Sequence, residues 1–242
     1  MVNADGFGLG WYAPGDPVPA RYRSDRPIWG DPSLADLARV TRPGALLAAV
    51  RSATVGMPLT VGAAAPFAAG RYLFSHNGAV AGWPESATAL AAGQCSPADL
   101  MRLPAATDSA LLWALVQRRI AGGDSSPGAL AAVVRLAASV AGGRLNLLLT
   151  DGVTIAATTY GETLCWRADQ RGVIVASEPH DDEPGWVDVP DGSLLTAAPD
   201  GVTVRPLTGE SPPTEQPALA EGSLPAEGSL LAEGSLLADQ SG

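Results

Sequence analysis

The chain has 242 residues, 46% of them apolar, and a formal net charge of −10. All fifteen of its basic residues are arginine, which excludes a Schiff-base lysine and a Gly-Lys phosphate loop. An acidic chain with no basic stripe argues against nucleic-acid binding. Two cysteines cannot build a disulfide framework, and no run approaches the ~18 unbroken apolar residues of a membrane helix. The expectation is a cytoplasmic protein without nucleic-acid or membrane partners.

Residues 6–12 read as a short apolar strand, broken by the prolines of 13–19. Residues 20–31 read as a strand and turn, and 33–40 as a helix with Ser33 at its N-cap. Residues 44–54 carry a buried-type apolar run that ends in Arg51. Residues 71–80 read as a strand running into an Asn77-Gly78 turn, the commonest type I′ pair. Two helices follow. Thr107 or Asp108 caps the first, which places Leu111, Leu112, Leu115 and Val116 on one side. Ser126-Pro127 opens the second, and Gly142-Gly143 ends it.

From Arg144 the apolar period becomes two, with glycine turns at Asp151-Gly152, Gly161, Gly172, Asp191-Gly192 and Asp200-Gly201. This reads as an antiparallel meander. Strands, then helices, then strands indicate an α+β fold, with sheets packed together and helices outside. Residues 208–242 differ from the rest. AEGSLP, AEGSLL and AEGSLL recur from 220 to 237, behind Pro212, Pro213 and Pro217. A domain over 1–207 and a disordered tail over 208–242 are expected.

Several attractive motifs fail on chemistry. Gly8-Leu9-Gly10-Trp11-Tyr12-Ala13 matches the dinucleotide fingerprint as a string, but that motif opens a helix and Pro14 and Pro17 forbid one. His180-Asp181-Asp182-Glu183 offers hard-cation ligands, yet beside Pro184-Gly185 it reads as a solvated turn. Cys165, between Leu164 and Trp166, reads as a small buried residue, and Cys95 sits in a loop with no charge beside it to activate a thiol. Arg51 reads as a strand-end ion pair or as the holder of an anion. Asn77-Gly78 reads as a hairpin turn and Asp108 as a helix cap.

Taken together, NADGFGLGWY (3–12), AVRSATVGMP (49–58), LFSHNG (73–78) and TDSALL (107–112) resemble the class II glutamine amidotransferase family of N-terminal-nucleophile hydrolases. VASEPHDDEPGWVDVPD (175–191) is similar to one branch in particular, the γ-glutamyl-hercynylcysteine sulfoxide hydrolases of ergothioneine biosynthesis. The likeness runs from Asn3 to about Leu207. It implies a four-layer αββα sandwich and hydrolysis of a γ-glutamyl amide that releases glutamate. By resemblance, Arg51 holds the substrate α-carboxylate and Asp108 its α-ammonium, while the Asn77 amide and the Gly78 N–H form the oxyanion hole. The only partner implied is a small γ-glutamyl substrate. No metal or organic cofactor is implied, and the oligomeric state stays open. Two alternatives stand beside this: a glutaminase-type subunit supplying ammonia to a partner, and a non-catalytic γ-glutamyl-binding protein.

The family's nucleophile is a cysteine directly after the initiator methionine, whose own α-amino group acts as base. Position 2 here is Val2. The expectation is that the chain begins downstream of that nucleophile and of one strand, through a misassigned gene start or a genuine truncation. As written it is expected to be inactive and to leave two unpaired sheet edges.

Overall fold

A computed structural model describes residues 3–207, and the backbone of 214–216 and 229–234. β1 (Phe7–Tyr12) pairs with β2 (Ala20–Ser24) on one edge. The chain then passes through α1 (Leu34–Val40) to β3 (Ala45–Val50) on the other edge of β1. Gly8 lies mid-strand, where a Cβ would meet the Ala65 carbonyl oxygen at 2.2 Å. Close packing thus explains a glycine that phosphate binding does not. Ser33 does not cap α1. Its backbone is already helical (φ −89°, ψ −16°), whereas a capping residue needs extended backbone. Its N–H donates instead to Asp31 Oδ1 at 2.9 Å, in a turn ahead of the helix.

β4 (Phe67–Ala69) and β5 (Tyr72–Val80) form a hairpin. Four helices follow: α2 (Ala87–Ala91), α3 (Pro97–Met101), α4 (Asp108–Ala121) and α5 (Ser126–Val140). Thr107 caps α4 by accepting the Ala110 N–H at 3.2 Å. Ser125, one residue ahead of the expected start, caps α5. The remaining strands are β6 (Gly143–Thr150), β7 (Ile155–Thr158), β8 (Cys165–Asp169), β9 (Gly172–Ala176), β10 (Val187–Asp188), β11 (Ser193–Ala198), β12 (Gly201–Pro206), β13 (Thr214–Gln216) and β14 (Ser229–Gly234).

The strands form two sheets, in the orders β13-β12-β11-β7-β6-β5-β4 and β10-β8-β9-β14-β3-β1-β2. The expected meander is therefore split. After β7 the chain crosses to the second sheet for β8, β9 and β10, then returns for β11 and β12. Alternation explains why both sheets are needed. Leu147 faces a core shared with Leu112 of α4 and Leu130 of α5, while its neighbour Leu148 faces Leu47, Val173 and Leu195 between the sheets. Helices pack outside the first sheet, as the α+β reading requires. Among the described residues, no helix is long and apolar enough to cross a membrane.

One expectation is corrected. Asn77-Gly78 is not a turn: β5 runs through it, pairing Asn77 with Asn146 and Gly78 with Leu145. The pairing with β6 from Leu73 to Val80 overrides the local preference of the dipeptide. Two segments of 208–242 are strands, and β14 lies between β3 and β9, parallel to both. The expected pair of open edges is thereby filled, since β14 supplies backbone partners to each neighbour. The rest of 208–242 lies outside the described residues.

Candidate active site

The end of β3, the second half of β5 and the start of α4 surround a cavity of about 450 Å³. Arg51, the Asn77-Gly78 pair and Asp108, which the sequence places well apart, all line it. Arg51 is held by its backbone: its N–H donates to the Gly6 carbonyl at 2.8 Å and its carbonyl accepts from Asp5 N–H at 2.9 Å. Its guanidinium donates to the Pro58 carbonyl at 3.0 Å. Burial pushes the Arg51 pKa down, and Asp5 and Asp108 push it back up. Asp5 in turn accepts the Ala53 N–H at 2.8 Å, which fixes the loop after Arg51.

Asp108 is buried at the first turn of α4. Its Oδ2 accepts the Val80 N–H at 2.9 Å and its Oδ1 the Ser109 N–H at 2.7 Å. A helix N-terminus suits this negative charge. The bond from Val80 also orients β5. It shows that the Val80 N–H points away from β6, and the two-residue alternation of a strand sends the Gly78 N–H to the same edge. β6 agrees: Leu145, opposite Gly78, sends its own N–H to the Tyr160 carbonyl at 2.7 Å. Gly78 and Leu145 are therefore a non-hydrogen-bonded pair. Gly78 has φ +135°, and a Cβ there would sit 2.1 Å from the Arg144 carbonyl oxygen. Only glycine permits this approach.

Further lining residues escaped the sequence reading. His76 Nε2 lies 3.0 Å from the Arg144 carbonyl, which can only accept, so Nε2 carries a proton. Its Nδ1 meets Ser109 Oγ at 3.0 Å. Arg144 and Glu162 form an ion pair on the cavity wall. Asn146, buried on β6, holds the Glu162 loop: its Nδ2 donates to the Glu162 and Thr163 carbonyls, each at 3.0 Å, and its Oδ1 accepts the Tyr160 N–H at 2.8 Å. A lone Asn in the apolar run 145–149 was the available signal, because a buried amide needs partners.

Other candidates lie elsewhere. Cys95 packs against the helical core and Cys165 is buried in β8; neither lines the cavity. Burial raises both thiol pKa values, that of Cys165 to about 12. In the 180–183 run, Asp181 accepts Trp186 Nε1–H at 2.9 Å and Arg167 Nη1 at 2.8 Å. The Trp186 bond, and then Arg167, hold the Asp181 carboxyl below its ordinary pKa. Arg167 also lies 4.9 Å over the Trp186 ring. That run is a pinned loop. Among the described residues, no group of three or more His, Cys, Asp or Glu is placed to hold a metal ion.

No protein-family model matches the chain. Over 207 residues it is 41% identical to the gamma-glutamyl-hercynylcysteine sulfoxide hydrolase of Mycolicibacterium smegmatis, covering 86% of this chain and 83% of that protein. It is 40% identical over 207 residues to the enzyme of that name from Mycobacterium tuberculosis, covering 86% and 81%. A solved glutamine aminotransferase class-II domain protein from Silicibacter pomeroyi matches with a TM-score of 0.63 at 26% identity, covering 85% of this chain and 92% of that one. The fold is that of the class II glutamine amidotransferase domains. Within that class, the chain belongs to the γ-glutamyl-hercynylcysteine sulfoxide hydrolase family.

Proposed function

We propose that the protein acts on the γ-glutamyl amide bond of γ-glutamyl-hercynylcysteine sulfoxide, the reaction that releases glutamate. One observation carries the reading: a cation, an anion and an inward N–H share one cavity, in Arg51, Asp108 and Gly78. A γ-glutamyl group presents an α-carboxylate, an α-ammonium and a γ-carbonyl, and these three groups match it. Arg51 takes the carboxylate and Asp108 the ammonium, in charge-assisted bonds of about 1.5–3 kcal/mol each. The Asn77 amide and the Gly78 N–H then stabilise the oxyanion that forms when a nucleophile attacks the γ-carbonyl. No metal or organic cofactor enters the reading. It places the protein in the cytoplasm, where its thiols stay reduced.

The chemistry needs a thiol beside a free amine, and neither Cys95 nor Cys165 reaches the cavity. Binding and turnover are therefore tested separately. Calorimetry with γ-glutamyl-hercynylcysteine sulfoxide tests the binding half. Arg51→Met and Asp108→Asn should each weaken affinity by about tenfold or more. Unchanged affinity in both would remove the basis of the reading. Turnover is tested in a chain prefixed with a segment that exposes a cysteine after methionine removal. There Asn77→Ala should lower kcat by roughly a hundredfold or more.

A further inference from the structure

The His76 ring bridges α4 and β6 beside the cavity. Residues 74, 76, 78 and 80 share one face of β5 by strand alternation. Phe74 and Val80 on that face pack into the helical core. His76, between them, meets the first turn of α4, where its Nδ1 lies 3.0 Å from Ser109 Oγ. On its other side Nε2 donates to the Arg144 carbonyl at 3.0 Å. That carbonyl cannot turn away, because the N–H of the same peptide unit, on Leu145, is tied to the Tyr160 carbonyl at 2.7 Å. The backbone therefore fixes the tautomer. The proton stays on Nε2, and Nδ1 of the neutral ring is an acceptor.

Ser109 has a single hydroxyl proton and a choice of where to send it. His76 Nδ1 is one acceptor, and Asp108 Oδ1, 3.3 Å from the same Oγ, is the other. The choice matters to Asp108. A carboxylate offers about four lone-pair sites. The Val80 N–H already occupies Oδ2, and the Ser109 N–H occupies Oδ1. A hydroxyl proton added to Oδ1 would saturate that oxygen and compete directly with an incoming ammonium.

We infer that His76 is a positioning residue for the ammonium site: by accepting the Ser109 hydroxyl proton it keeps that proton off Asp108 and leaves Oδ1 open to the substrate's α-ammonium. The inference rests on the assignment of Asp108 to the ammonium. The Arg144 carbonyl then serves twice, since it also lies so close to Gly78 that no Cβ fits there.

Nitrogen NMR of the ¹⁵N-labelled 242-residue chain, free of ligand, tests the hydrogen-bond arrangement. His76 and His180 are its only histidines, so a His180→Gln variant isolates the His76 ring. At about pH 8, where imidazole is neutral, Nδ1 should show the shift of an unprotonated nitrogen and should move on Ser109→Ala. A proton on Nδ1 would overturn the inference, whatever the chain binds. Calorimetry with γ-glutamyl-hercynylcysteine sulfoxide tests the consequence. His76→Ala should weaken affinity by about fivefold, because the Ser109 proton turns to Asp108. Adding Ser109→Ala removes that proton and should bring affinity back to within about twofold of the unaltered chain. A ring that merely supports the cavity wall would give no such recovery. Unchanged affinity in His76→Ala, or no recovery in the double variant, would overturn the inference; if Asp108→Asn still weakens binding, the assignment of Asp108 survives. If Asp108→Asn binds normally, that assignment fails and the inference fails with it. Should His76→Ala not fold, the ring ¹⁵N shifts decide.

Discussion

The two sheets of the sandwich are held together differently. β5, β6 and β7 pair antiparallel with their neighbours and are backed by α4 and α5. The facing sheet is joined at its centre by β14, a parallel strand that arrives from the tail. The cavity straddles the two. Asn77, Gly78 and Asp108 belong to the helix-backed side, whereas Arg51 hangs from the end of β3. The groups assigned to the oxyanion and the ammonium therefore sit on the densely packed half. The group assigned to the carboxylate depends on the sheet whose middle strand comes from a repeat. Damage to the first half should cost global stability; damage to the second should act locally.

The sharpest test of that contrast is Leu147→Ala, in the core under α4 and α5. It should cost about 2–5 kcal/mol in urea unfolding, in one cooperative transition. A loss well below that would mean the helix-backed half does not set global stability. Gly78→Ala comes next, because it adds a strained φ to a backbone clash with Arg144. About 3 kcal/mol is expected by the same measurement, and activity in a nucleophile-bearing chain should fall with it. Asn146→Ala should cost about 1–3 kcal/mol, since it strands the Tyr160 N–H and the Glu162 and Thr163 carbonyls. Faster exchange at Tyr160 with unchanged exchange in β3 would locate the damage in the first sheet.

The smallest effect lies in the loop pinned to the second sheet. The Asp181 carboxyl is held low by Trp186 and Arg167, so its contribution is present above the ordinary carboxylate pKa. That contribution is lost as pH falls through the lowered value. Trp186 fluorescence, taken as the difference from Trp186→Phe, should change in that acidic window while the global unfolding transition persists. No change there would show that Asp181 does not hold the loop.

Local features of the sequence determined most elements of this protein. The 3.6-residue stripe of Leu111, Leu112, Leu115 and Val116 made a helix, Thr107 capped it, and period-two apolar runs after Arg144 made strands. The four motifs around Arg51, Asn77, Gly78 and Asp108 were legible too, and their residues do meet in one cavity. Only the tertiary structure decided partners. Periodicity says which face of a strand is buried but not which sheet receives it, so the split of β8, β9 and β10 from their neighbours could not be read. Asn77-Gly78 has the local chemistry of a turn, yet the ladder with β6 is a long-range reward that the dipeptide cannot express. The place of β14 between β3 and β9 is the extreme case. Its residues look like solvated repeat, and only the unmet backbone groups of two distant strands make a sheet position for them.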